Sequence, residues 1–339
     1  MEWNQGGSPH TRPNTCSTFL RCTLASALLL VMAITIPVTS AEAEDDAPEF
    51  AVQAPLAGRT LLLNAAVADS AMVVVGGRGH ILVTDDGGES WQQMEVPTRA
   101  ALTGVHFHDR QLGWAVGHDS VILRTLDGGT TWERVHWAPE EENPLLDVWF
   151  SDAEDGFAIG AYGSFYVTSD GGATWSFRAL SEYDFHLNHI SRSIDGTLYI
   201  AAEAGMIYRS DDGGESWIEL PSPYEGSFFG SLPLEGDTLL LFGLQGHLFR
   251  SEDAGESWIE LETGTTAMLT DGVRLADDTI VITGLGGALL VSTDNGHAFE
   301  LHQQPDRRGI SAVVEAGSGQ LLLVGEFGVK MLPVSDLAR

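Results

Sequence analysis

Residues 210–217 read SDDGGESW. Asp211 and Asp212 set two carboxylates beside a glycine pair, with two serines and a tryptophan close by. Three chemistries use such a set: an oxygen cage for a hard cation, a glycine cradle for phosphate, and a carboxylate pair for acid–base work. The calcium version fails on spacing, because no bidentate glutamate follows where an EF-hand loop needs one. The other two are decided by repetition. The chain also carries TDDGGESW (84–91), TLDGGTTW (125–132), TSDGGATW (168–175), SEDAGESW (251–258) and STDNGHAF (292–299). A catalytic centre is needed once. Six near-copies, aligned on Asp86, Asp127, Asp170, Asp212, Asp253 and Asp294, point to structural work, and no metal or cofactor is expected at them.

The aligned aspartates are 41, 43, 42, 41 and 41 residues apart. A period near 42 signals a solenoid or a propeller. A second series keeps the same beat: Gly76, Gly117, Gly160, Gly243, Gly284 and Gly325, with Ala202 in fourth place. That series has seven members, so a seventh unit near 310–334 ends before reaching an octet. Each unit divides into short runs rich in β-branched and aromatic residues. In the second unit these are LTGVHFHD (102–109), GWAVG (113–117), VILRT (121–125) and TWERVHW (131–137). Four strands per period make one propeller blade. The expected fold is therefore all-β, a seven-bladed β-propeller. The seventh unit offers three strands, 310–316, 320–325 and 329–334; EFAVQAP (49–55), with Phe50 in a tryptophan's place, is expected to add the fourth and close the ring 3+1.

On such a blade the octet falls in the hairpin between strands three and four. Its glycines supply positive φ, and its aspartate accepts N–H bonds from its own turn. Trp91, Trp132, Trp175, Trp217 and Trp258, with Phe299 sixth, are expected to bury between blades.

The N-terminus has another purpose. Arg12 and Arg21 precede an apolar stretch, Leu24–Val38, and Thr39, Ser40 and Ala41 follow. That is the layout of a secretory signal, and the stretch is shorter than the ~20 residues of a spanning helix. The expected organisation is a signal peptide at 1–41, a linker at 42–48 and the propeller at 49–339. Both cysteines, Cys16 and Cys22, fall in the segment to be removed, and Cys22, beside Arg21 and ahead of the apolar run, is no lipidation site. The exported chain has no disulfide or thiol chemistry. The full chain of 339 residues carries a net charge of −31, and its only lysine is Lys330. Such a surface excludes nucleic acid and anionic lipid as partners.

The octets resemble the Asp-box, or BNR, repeat of propeller proteins, found in sialidases and in non-catalytic binding propellers alike. Residues 102–132 carry a narrower pattern: L-x-x-V-x-F, then GWAVG, then I-L-R-T-x-D-G-G-x-T-W. That combination resembles the photosystem II stability and assembly factor family, over roughly residues 49–334. The resemblance implies an exported or lumenal, non-catalytic propeller that helps a membrane complex assemble; a monomer is expected. The client is a photosystem II-type subunit or peptide segment in a phototroph, and otherwise a complex such as a transporter.

The resemblance also implies an arginine patch on the face opposite the octets. Arg59 and Arg99 occupy matching inter-blade loops of units one and two, and Arg308 matches them in unit seven. Arg78, in a strand-two/three turn, and Arg307 join them. Ring closure makes these units neighbours, and guanidinium forks suit carboxylates. Other polar candidates are His106 and His108, His186 and His189, and Arg192, Arg274 and Glu315 as channel-lining or paired residues. Trp137, Tyr183 and Tyr224 sit on inter-blade loops. The competing function is a glycosidase, which needs two facing carboxylates; Asp119, Glu203 and Glu326 lie in turns on the appropriate face.

Overall fold

The second strand of each unit explains why the units stack. Ala71–Gly76, Gly113–Gly117 and Leu239–Gly243 are buried at every position. A strand that is apolar without alternation must be covered on both faces. In the computed structural model, which describes residues 48–317 and 319–337, a neighbouring sheet covers it on either side. The expected signal segment, 1–41, and nearly all of the expected linker lie outside the described residues.

Seven antiparallel sheets follow one another along the chain, six of four strands in sequence order and a last one of three. The second blade comprises Leu102–Phe107, Gly113–Gly117, Ile122–Thr125 and Glu133–His136. The first strand of every blade lies at the axis, and that of blade one packs against that of blade seven. The fold is the seven-bladed all-β propeller expected from the repeat.

Each seam is a mixed apolar cluster. Val73, Val75 and Ile81 of blade one meet Leu102, Val105 and Trp132 of blade two. Every inner strand carries a bulge at its second residue, as between Leu102 and Gly104. The phased glycines allow the close approach beside it: a Cβ on Gly117 would lie 2.1 Å from the Ala101 carbonyl oxygen.

The ring closes by packing rather than by the expected 3+1 exchange. Leu62, Met72 and Leu82 of blade one form a cluster with Ala312, Leu322 and Val324 of blade seven. Gly88 of the first octet lies against Met331, just as Gly129 of the second lies against Val83. The segment expected to complete blade seven runs instead beside blade one. Ala51 N–H donates to the Val96 carbonyl (2.9 Å). Gln53 donates to Met94 O (3.0 Å), and the Gln93 amide accepts from Ala54 N–H (2.8 Å) and donates to Val52 O (3.0 Å). The physical reason lies in these amide contacts: Gln53 finds a backbone carbonyl on blade one, and Gln93 of blade one holds the segment's own backbone. Phe50, the supposed tryptophan substitute, stays 45% exposed. Blade seven keeps three strands, and Leu337 beyond them is buried against Leu275, Val281 and Leu289 of blade six.

Candidate functional site

The octets come first, because their geometry decides whether they are free to react. In the opening one, the Ser210 hydroxyl donates to Asp212 Oδ1 (2.8 Å) and accepts from Gly214 N–H (2.8 Å). Ser216 N–H donates to the same carboxylate oxygen (2.9 Å), and the Ser216 hydroxyl donates to Oδ2 (2.6 Å). Asp86, Asp127, Asp170 and Asp253 repeat this arrangement. Asp294 accepts from Ser292, His297 and Ala298, and residue 298 brings no hydroxyl. The Ser216 hydroxyl, the Ser216 N–H and Ser210 hold the Asp212 carboxyl down at about 2. A carboxylate so enclosed by donors from its own turn ties a hairpin. Among the described residues, no three His, Cys, Asp or Glu are grouped to hold a metal.

The aromatic residue behind each aspartate joins blades, though less deeply than expected. Trp132 is 7% exposed, while Trp91, Trp175, Trp217, Trp258 and Phe299 are half-buried. The indoles of Trp132, Trp175, Trp217 and Trp258 bond backbone, as Trp217 Nε1 does to Gly214 O (3.2 Å). Arginines that sequence reasoning missed reinforce the seams. Arg124 reaches Gly171 O of the next octet (3.3 Å), and Arg250, buried, reaches Asn295 O (2.7 Å). Their signal was present, as R-T/S-x-D at the third strand of blades two, four and five.

On the opposite face the five expected arginines are all exposed, but they divide. Arg308 donates to the Glu326 carbonyl and lies 6.0 Å over the Phe327 ring. A Cβ on Gly328 would come within 2.7 Å of the Arg59 Cα. Arg59 and Arg308 therefore flank one turn of blade seven. Arg78 caps the matching turn of blade one in a left-handed conformation (φ 62°). Arg99 adjoins that turn but is engaged: it pairs with Glu49 (3.0 Å) and bonds Phe50 O (3.0 Å), pinning the N-terminal segment. Arg307 departs from the group, lining a groove with Gln245, His247 and Glu260 of blade five.

Two of the three carboxylates proposed for a glycosidase have other duties. Glu203 accepts from His186 N–H (3.1 Å) and Glu326 from Gly309 N–H (2.9 Å), each fastening the loop into its own blade. Asp119 sits on blade two with φ 59°. Arg274 pairs with Glu235 (2.9 Å) and Asp278 (2.6 Å), and Glu315 accepts Ala276 N–H (3.0 Å). Tyr183 stacks on Phe185 (5.3 Å), Tyr224 lies against His247 (4.3 Å), and Trp137 lies under Arg134 (4.2 Å).

The axis holds a cavity of about 620 Å³ whose lining extends to Leu285 and Glu326, in turns of the face opposite the octets. Its polar lining includes Asp147, His189 and Asp271, which occupy one equivalent position just after the bulge. The bulge leaves a backbone N–H in the next blade without a ladder partner. Asp147 accepts that of Ile190 (3.0 Å), His189 Nδ1 that of Ser231 (3.5 Å), and Asp271 that of Val313 (2.9 Å). Inner strands wrap both carboxylates, although a water molecule can reach them. Burial pushes the Asp147 carboxyl up and the Asp271 carboxyl up to about 6, with nearby His189 opposing both shifts. His106, also on this wall, is brought down to about 4 by burial and stays neutral.

The family described as "Photosynthesis system II assembly factor YCF48" matches residues 89–143 and 135–274. A photosystem II assembly protein Ycf48 of Synechococcus sp. (strain JA-3-3Ab) is 41% identical over 130 residues, 38% of this chain and 39% of the relative. A photosystem II assembly lipoprotein Ycf48 of Prochlorococcus marinus (strain MIT 9312) is 42% identical over 129 residues, 38% of each chain. These matches span well under half of the relatives' length. Among solved structures, "YCF48 bound to D1 peptide" superposes with a TM-score of 0.66 at 21% identity, covering 84% of this chain and 96% of that one. A streptogramin B lyase superposes at 0.70 with 15% identity, covering 84% and 96%. At such identities the likeness is one of fold.

Proposed function

The chain belongs to the photosynthesis system II assembly factor YCF48 family, and from that premise we propose that it is an exported, non-catalytic scaffold. It grips a carboxylate-bearing segment of a membrane-complex subunit on the arginine arc of its face. The observation that carries this reading is the pair Arg59 and Arg308 flanking the turn 326–328, with Arg78 on the next blade, in a chain of net charge −31. A local cationic arc on an acidic body selects anions, and guanidinium groups favour carboxylates. A relative of the same fold is described as bound to a D1 peptide. The proposed client is a photosystem II-type subunit in a phototroph, and otherwise another membrane complex such as a transporter. The proposed organisation is a signal at 1–41 and a monomeric propeller from residue 49, working in the periplasm or thylakoid lumen.

The test is recovery of partners from detergent-solubilised membranes by the exported chain and by Arg59→Glu/Arg78→Glu/Arg308→Glu. Arg99 is left intact because it pins the N-terminal segment. Loss of one co-purifying subunit from the variant supports the proposal; identical recovery by both proteins rejects it. Turnover of an aryl glycoside that disappears on changing Glu203 or Glu326 would replace the scaffold with an enzyme.

A further inference from the structure

We infer that the mouth of the axial cavity is a subsite for one bulky, uncharged apolar side chain of the partner segment, read beside the carboxylates that the arginines hold. The inference rests on the proposed peptide-binding function and adds what the bound segment must contain.

Six apolar side chains collar the mouth: Leu61, Leu63, Leu146, Phe229, Met268 and Leu285. None is fully buried, and Leu61 and Leu285 are 45% and 41% exposed. The sequence puts apolar groups here on four blades, one, three, five and six, whereas at the position of Leu63, Leu146 and Phe229 blades two, four and six carry Thr103, Asn188 and Thr270. Those three are engaged structurally: Thr103 bonds Leu145 O (2.6 Å), Asn188 bonds Phe228 O (2.8 Å) and Thr270 bonds Ile310 O (2.8 Å). The leucines and Phe229 offer no such bond. They leave open apolar surface around a cavity of the volume typical of ligand pockets.

Charge selects the occupant. Arg59 lies two residues before Leu61, and Arg308 precedes Gly309 and bonds Glu326, both of which line the cavity. The Glu326 carboxylate at this rim is engaged by Gly309 N–H, and the two guanidinium groups outnumber it, so the rim favours carboxylates. The floor carries Asp147 and Asp271, poorly solvated, and repels them. A carboxylate-bearing chain crossing this face keeps its acids at the rim and presents a neutral side chain to the cavity. That division fixes the register of the segment as well as its composition.

The experiment uses fluorescence polarisation of labelled synthetic heptapeptides, Gly-Glu-Asp-X-Asp-Glu-Gly, with X as Phe, Ala or Glu, titrated with the exported chain. Burying a phenyl ring predicts that the Phe peptide binds about tenfold or more tighter than the Ala peptide. The Glu peptide should bind more weakly than Ala despite its extra charge. Leu61→Ser/Leu285→Ser changes two exposed side chains, and should abolish the Phe advantage while leaving the Ala peptide's affinity intact. Arg59→Glu/Arg308→Glu should weaken all three peptides. Equal binding of Phe and Ala, or a Phe advantage untouched by the leucine changes, overturns this inference and leaves the arginine reading standing. No binding of any peptide, or binding indifferent to the arginine changes, overturns both.

Discussion

Asp271 offers the sharpest test of the axial cavity as a desolvated site. Its carboxyl lies among the inner strands, accepts N–H bonds from Gly272 (2.8 Å) and Val313 (2.9 Å), and is raised by burial from 3.8 to about 6. A folded-state pKa above the unfolded one has a definite sign. The group's contribution to stability is fully present below about pH 4 and is lost as pH rises through about 6. A shift from 3.8 to about 6 corresponds to roughly 3 kcal/mol at 1.36 kcal/mol per pKa unit. Asp271→Asn removes the titration. It also disturbs one of the two backbone bonds, but that cost does not vary with pH. The difference in unfolding free energy, wild type minus Asp271→Asn, should therefore fall by up to about 3 kcal/mol between about pH 4 and pH 7. Urea unfolding of both proteins at several pH values measures it. A difference that stays flat, or grows with pH, would refute the claim that the inner strands desolvate this carboxylate.

Three further outcomes follow from the seams and the face. Trp132→Ala removes a buried ring that meets Phe107 edge-on (6.2 Å) and donates to Gly129 O (2.9 Å), and should cost about 3–5 kcal/mol in urea unfolding. Gly117→Ala forces a methyl to within 2.1 Å of Ala101 O and should cost about 1–3 kcal/mol by the same assay, through displacement of the inner strand. Arg99→Ala frees Glu49 and Phe50 and should speed limited proteolysis around residues 49–55, whereas Arg78→Ala should leave the cleavage rate unchanged.

What the sequence made legible was whatever recurs with the blade. The octets were readable as ties because each turn repeats the same requirement: a hydroxyl, a carboxylate and a glycine at fixed offsets, seen in the bonds around Asp86, Asp170 and Asp253. Periodicity assigns a residue its place within a blade, but not the direction of its side chain or the neighbour it meets. Arg307 and Arg308 are adjacent in sequence, yet one faces the blade-five groove and the other the blade-seven turn. The segment at 49–55 shows the same limit. Its apolar pattern suits either side of the closure, and the deciding groups are the amides of Gln53 and Gln93, which no repeat announces. Asp147 and Asp271 escaped for the opposite reason: they answer a requirement every bulge creates, an N–H in the next blade, but only some blades meet it with a titratable side chain. The six ties are near-identical because each closes the same kind of turn with the same hydroxyl-to-carboxylate bond. The axis is heterogeneous because all seven blades converge on one cavity, where each bulge residue faces a different set of neighbours. A propeller's individuality should therefore be sought where its blades meet, and here Leu61 and Gly309, next in the chain to the segments carrying Arg59 and Arg308, line that shared cavity.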